Sequence, residues 1–196
     1  MSRPKAVRHP TRYIVVDLEA TCWERDSTPD RMEIIEIGAV CLTTAAEAPI
    51  GEFSAFVKPT ASPLLSDFCT QLTSIQQQDV DSADTFAIVF PRFLNWIGEE
   101  PFRLVSWGRY DLDQFRLECK RNNLPFPIGF KNHIDLRKQF SRTRRIAPPS
   151  LKAALALLEI PLVAPHHRAL SDAKSTAHIA QKILPCFAAQ NPVNPV

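Results

Sequence analysis

The chain has 196 residues, 45% of them hydrophobic and 22% charged, a balance that suits one compact domain with a buried core. Its net charge of +2 provides no global field toward nucleic acid, so any site for a polyanion has to come from a local patch. The longest apolar runs are far too short to span a bilayer, and the basic opening residues lead into a strand rather than an apolar signal segment. The expected organisation is a basic tail over residues 1–10, a single domain over 11–186 and an unstructured tail over 187–196. Cys22, Cys41, Cys69, Cys119 and Cys186 are odd in number and scattered, with no C-x-x-C pair. This argues against a disulfide framework or a zinc site and for reduced thiols in the cytoplasm.

In chain order, residues 13–21 open as the apolar, β-branched run of a buried strand and end with Asp17 and Glu19. Side chains alternate along a strand, so these two acids share a face. Two readings stand: a hard divalent cation lies between them, or the strand runs into a polar turn with both solvated. Residues 34–42 and 52–58 read as two further strands, with Gly38 marking a bulge or a close approach. Three strands with short connections predict an antiparallel meander. Residues 63–81 read as short helices and turns. Ser82 and Asp84 are candidate caps of a helix over 83–97, which Pro91 is placed to kink. A short strand over 103–107 precedes a helix over 111–122. Further helices are predicted over 135–143, from Ser150 to 158, and over 171–184 after a loop at 161–171. The order βββ-α-β-α-α-α gives a mixed α/β layer architecture around one sheet.

Two more acids sit at predicted helix starts, Asp111 and Asp172, where either also serves the helix dipole. The local contexts of the four acids carry a resemblance. Asp17-Leu18-Glu19-Ala20-Thr21-Cys22 with Glu33-Ile34-Ile35-Glu36-Ile37-Gly38, then Ser106-Trp107-Gly108-Arg109-Tyr110-Asp111-Leu112, then His167-Arg168-Ala169-Leu170-Ser171-Asp172 resemble the three ordered motifs of the DEDDh exonucleases. Leu64-Leu65-Ser66-Asp67-Phe68-Cys69-Thr70-Gln71-Leu72-Thr73-Ser74-Ile75 is similar to the branch containing the histone-mRNA 3′-end exonuclease and the bacterial KapD-like exonucleases. The resemblance spans residues 11–184.

It implies a ribonuclease-H-like fold with a central mixed five-stranded sheet flanked by helices. It also implies 3′-to-5′ hydrolysis of single-stranded nucleic acid, RNA favoured over DNA, to nucleoside 5′-monophosphates. By position it makes Asp17, Glu19, Asp111 and Asp172 ligands of two divalent cations, Mg²⁺ or Mn²⁺, and His167 the general base. Leu18, Ala20 and Thr21 would line the terminal-nucleotide pocket, and Leu72, Thr73 and Ile75 would cover its base. Leu72 and Ile75 serve equally well as core. Trp23, Trp107 and Tyr110 offer rings for stacking, Tyr110 being grouped with the substrate residues, although aromatics beside a strand are often core. Asp113 competes with Asp111 and His166 with His167; the family spacing selects Asp111 and His167. Arg137, Lys138, Arg142, Arg144, Arg145 and Lys152 form a basic cluster that is either a solvated helix face or a track for phosphates. A non-catalytic adaptor on the same fold, or a metal-dependent endonuclease, would be the alternatives.

Overall fold

The β-branched run that begins at Tyr13 becomes the central strand of a five-stranded sheet in the computed structural model, which describes residues 12–25, 28–44, 46 and 48–184. The tails expected over 1–10 and 187–196, and Cys186, lie outside the described residues. β1 (Arg12–Ala20) pairs antiparallel with β2 (Ile34–Thr43), and β2 antiparallel with β3 (Gly51–Phe56). On its other edge β1 runs parallel to β4 (Phe102–Ser106), which runs parallel to β5 (Ile134–Asp135). The sheet order is β3-β2-β1-β4-β5. The expected meander is present, and the parallel half is made by helical crossovers, as parallel strands require.

Seven helices cover the sheet among the described residues: α1 (Asp67–Thr73), α2 (Gln77–Asp81), α3 (Phe86–Ile97), α4 (Tyr110–Arg121), α5 (Leu136–Arg144), α6 (Leu151–Leu157) and α7 (Ala169–Ile183). Strand alternation sorts the core into two layers. Ile14, Val16 and Leu18 point into one with Phe90 and Phe93 of α3 and Phe115 of α4. These three phenylalanines are at most 1% exposed, each worth about 1.5–3 kcal/mol of apolar burial. Tyr13 and Val15 point into the other layer, with Phe140 of α5, Leu155 of α6 and Ala177 of α7. Asp17 and Glu19 therefore emerge on the face that α7 covers. Among the described residues no helix is long and apolar enough to cross a membrane, and the four described cysteines are buried and free.

The structure departs from the expected elements in several places. The strand β5 has only two residues and is recruited by pairing with Val105 and Ser106. Ser82 closes α2, its hydroxyl donating to the Gln78 carbonyl at 2.9 Å, while the Asp84 carboxylate pairs with Arg92 at 3.3 Å. The cap of α3 is Thr85, and the helix runs continuously through Pro91. The final helix starts at Ala169, two residues ahead of expectation.

Glu33 holds the loop after β3 in place. Its carboxylate accepts from the backbone N–H groups of Thr60 at 2.8 Å, Ala61 at 2.9 Å and Ser62 at 2.7 Å. Burial pushes its pKa up, but these donors and Arg121 more than offset that and hold it below the usual value. A depressed folded-state pKa stabilises above the unfolded value of about 4.3 and ceases to do so as pH falls through the folded pKa. Glu33→Gln is expected to cost about 1.5–3 kcal/mol at neutral pH. In urea melts at descending pH the gap to wild type should close in the acid range; a gap that does not change with pH would contradict the assignment.

Candidate active site

The site forms where β1 outruns its parallel partner. The β1–β4 pairing ends at Val15↔Val105, so the Leu18 N–H has no strand partner there and donates to Asp111 Oδ1 at 3.1 Å. This bond brings the first turn of α4 onto the end of β1. Asp111 is 5% exposed, and the Ser106 side chain helps hold its pKa down against the effect of burial. Ser106 in turn lies 2.9 Å from His133 Nε2, so a histidine that carried no signal in the sequence stands behind an acid of the site. Asp113 turns outward and pairs with Arg109 at 3.1 Å and Arg116 at 3.0 Å.

The opposite wall is the start of α7. Glu36 lies directly across the sheet from Glu19 and is 1% exposed. It receives Arg168 in a bidentate pair, Nη2 at 2.9 Å and Nε at 3.1 Å, and the Ala169 N–H at 3.0 Å. Glu36 thus caps α7 from another strand, satisfying a helix N–H that its own N-cap, Arg168, leaves unbonded. Gly38 allows the approach: a Cβ there would sit 2.1 Å from the Ala169 carbonyl carbon and the Leu170 nitrogen. Of the two roles expected for Gly38 the close approach is the one realised; the bulge in β1 lies at Glu19/Ala20.

Anchored this way, the loop before α7 delivers two histidines and an aspartate. His167 has φ +58°, in the left-handed region, and its N–H donates to Asp172 Oδ2 at 3.1 Å. The ring that touches Asp172 is His166, Nδ1 to Oδ1 at 2.8 Å; the carboxylate accepts, so Nδ1 carries the proton. The two imidazoles stack with centroids 4.0 Å apart. Burial, then the neighbouring His166, lower the pKa of His167, which keeps its ring unprotonated near neutral pH.

Ligand oxygens of Asp17, Glu19 and Asp172 lie within 4.8 Å of one another. Desolvation and mutual repulsion push Asp17 well up, Glu19 to about 8 and, chiefly through burial, Asp111 to about 6. Arg168, which feels Glu19, is committed to Glu36. Among the described residues no lysine or arginine pairs with Asp17, Glu19 or Asp172, and such a cluster of carboxylate oxygens fits a hard divalent cation. Asp17, Glu19 and Asp172 line a cleft of about 520 Å³ together with Leu18, Trp107 and both histidines; Asp111 lies behind them and does not line it.

Of the other residues expected at the substrate, only Leu18 and Trp107 line this cleft. Ala20 is 5% exposed and Thr21 1% exposed, the Thr21 hydroxyl accepting from the Glu33 N–H at 2.9 Å. On α1, Leu72 is 38% exposed, whereas the Thr73 hydroxyl donates to the Cys69 carbonyl at 2.8 Å. Ile75 is fully enclosed in a small core with Cys22, Ile35, Cys69 and Val80. Tyr110 is 39% exposed at the start of α4, its hydroxyl 3.8 Å from Met32 Sδ. Trp23 lies under the Arg31 guanidinium, 4.2 Å from its ring centroid.

The family model described as Exonuclease (RNase_T) matches residues 14–180. The chain belongs to the DEDDh 3′-to-5′ exonuclease family. It is 36% identical over 192 residues to ERI1 exoribonuclease 2 of Danio rerio, covering 87% of this chain and 34% of that protein. With human 3′-5′ exoribonuclease 1 the identity is 31% over 179 residues, covering 87% and 51%. The chain thus spans about a third of the first curated relatives it matches. Among solved structures it is similar to the nuclease domain of 3′hExo bound to rAMP, with a TM-score of 0.85 and 30% identity, covering 92% of this chain and 96% of that one. The fold of this DEDDh member is therefore ribonuclease-H-like, with the mixed five-stranded sheet that the motifs implied. DEDDh exonucleases use divalent metal ions, and the carboxylate cluster described above is a donor set of that kind.

Proposed function

We propose that this chain is a metal-dependent 3′-to-5′ exonuclease that trims single-stranded nucleic acid, RNA in preference to DNA, releasing nucleoside 5′-monophosphates. The observation that carries this reading is the convergence of Asp17, Glu19 and Asp172 within 4.8 Å, with Asp111 beside Asp17 and a ring nitrogen of His167 within 4.8 Å of Asp172. The four acids would hold two divalent cations, Mg²⁺ or Mn²⁺. Bound cations supply neutralisation of phosphate charge and acidification of the attacking water.

The protein's own groups do the rest. His167, held neutral by burial and by His166, takes the proton from the attacking water at a free ring nitrogen. His166 keeps Asp172 oriented through its Nδ1–H. Leu18, Ala20 and Thr21 would receive the terminal nucleotide, with the exposed Leu72 and Tyr110 on the base side and the enclosed Thr73 and Ile75 supporting Leu72 from the core. The RNA preference is supported by relatives named exoribonucleases.

The test is a digest of 5′-labelled RNA, matched single-stranded DNA and a circular strand with Mg²⁺ or Mn²⁺. Stepwise shortening from the 3′ end, faster for RNA, with the circle intact, is expected. His167→Ala should lower turnover about 10²–10⁴-fold, the usual contribution of a positioned acid–base group, and leave cation binding in place. Protection without shortening would identify a binder, and cleavage of the circle an endonuclease.

A further inference from the structure

The cleft floored by the acids has a wall of the opposite sign. Arg137 of α5 and Lys152 of α6 line it together with Trp107. Arg137 is braced rather than loose: Nε donates to the Pro149 carbonyl at 2.9 Å and Nη2 to the Pro148 carbonyl at 3.0 Å. Neither cation pairs with a carboxylate among the described residues. Trp107 is propped edge-on against Phe140, with centroids 5.8 Å apart. The structure thereby divides the basic cluster read in the sequence. Arg142 and Arg144 lie in the last turn of α5, where cations complement the helix dipole, and Arg145 closes that helix at φ +54°. Only Arg137 and Lys152 of the six reach the cleft.

Cations on that wall would repel a divalent ion but attract a phosphodiester. Leu72, Thr73 and Ile75, the residues assigned to the terminal base, do not line this cleft; its cationic wall comes instead from α5 and α6. On the basis of the exonuclease reading, we propose that Arg137 and Lys152 form a subsite for the phosphodiester immediately 5′ of the scissile bond, with the Trp107 ring as a sequence-tolerant stacking face for the adjoining base. Single strands are held this way elsewhere, by backbone charge plus aromatic faces that accept any base. The subsite makes the enzyme prefer a strand to a lone nucleotide ester.

The test compares kcat/KM across salt concentrations for a single-stranded oligonucleotide and for the p-nitrophenyl ester of thymidine 5′-monophosphate, which has no upstream phosphate. Each phosphate contact on a single strand contributes about 0.7 to the log–log salt slope. The double variant Arg137→Gln/Lys152→Gln removes the contact to that one phosphate, so it is expected to flatten the oligonucleotide slope by about 0.7 and to lower the oligonucleotide-to-ester ratio, while Arg137→Lys retains most of the slope. An unchanged slope, or equal losses on both substrates, overturns the subsite with the exonuclease reading intact. A wild-type protein that cleaves neither substrate overturns both.

Discussion

Asp17→Asn is expected to abolish nuclease activity and, in the absence of metal, to make the protein more stable. The two effects share one cause. Asp17 sits against Asp111, Glu19, Asp172 and Glu36, and burial with their repulsion raises its pKa well above the usual value. A carboxylate with a raised folded-state pKa stabilises the protein fully below its unfolded value of about 3.9, and that contribution is lost as pH rises through the folded value. Metal-free wild type should therefore lose stability as pH rises through the range in which Asp111, at about 6, and Glu19, at about 8, ionise. A divalent cation should reverse the loss by replacing the protons. Asparagine removes one charge from the cluster at nearly constant volume. In EDTA at pH 8 the variant should melt above wild type; with saturating Mg²⁺ or Mn²⁺ the order should invert. Turnover should fall by more than the 10–100-fold typical of losing a partner behind a ligand. Full activity, or a metal-free Tm that does not rise, would contradict the shared cation site.

What could be read in advance from the sequence follows from the range over which each interaction acts. β1 was legible because its β-branched run and the alternation of Asp17 and Glu19 are local. Asp111 could be separated from Asp113 by its neighbours, and the structure turns Asp113 out to Arg109 and Arg116. β5 was not legible: two residues carry no periodicity, and only the edge of β4 makes them a strand. Glu36 lay within an apolar run, and its meaning depends on Arg168, 132 positions away. No local signal links them. His166 read as a loop neighbour because sequence spacing says nothing of ring direction; the left-handed backbone at His167 is what leaves the His166 ring against Asp172. The partly exposed Leu72 and the enclosed Ile75 sit three residues apart in one motif, and only packing separates them.

Gly38 is where this long-range architecture is most exposed to a single substitution. The added methyl of Gly38→Ala would meet main-chain atoms of Ala169 and Leu170 at 2.1 Å, and backbone held in a helix start cannot rotate aside as a side chain would. The start of α7 must lift from β2. Its lift stretches the Ala169 N–H bond to Glu36 and the bidentate Arg168 pair, leaving a carboxylate that is 1% exposed short of donors. Overpacking costs about 1–3 kcal/mol, and breaking a buried ion pair about 3–5 kcal/mol, so the substitution is expected to cost several kcal/mol. The same displacement carries His167 and Asp172 away from Asp17 and Glu19, so cation affinity and turnover should fall together in whatever fraction remains folded. Gly51→Ala is the internal control, since its Cβ would meet only the Trp96 ring at 3.7 Å, an ordinary contact. Urea melts with cation titrations on both variants decide the matter. If Gly38→Ala matches Gly51→Ala in stability and in cation affinity, the start of α7 is not seated on Gly38, and Glu36 is not what fixes the His167 loop over the acids.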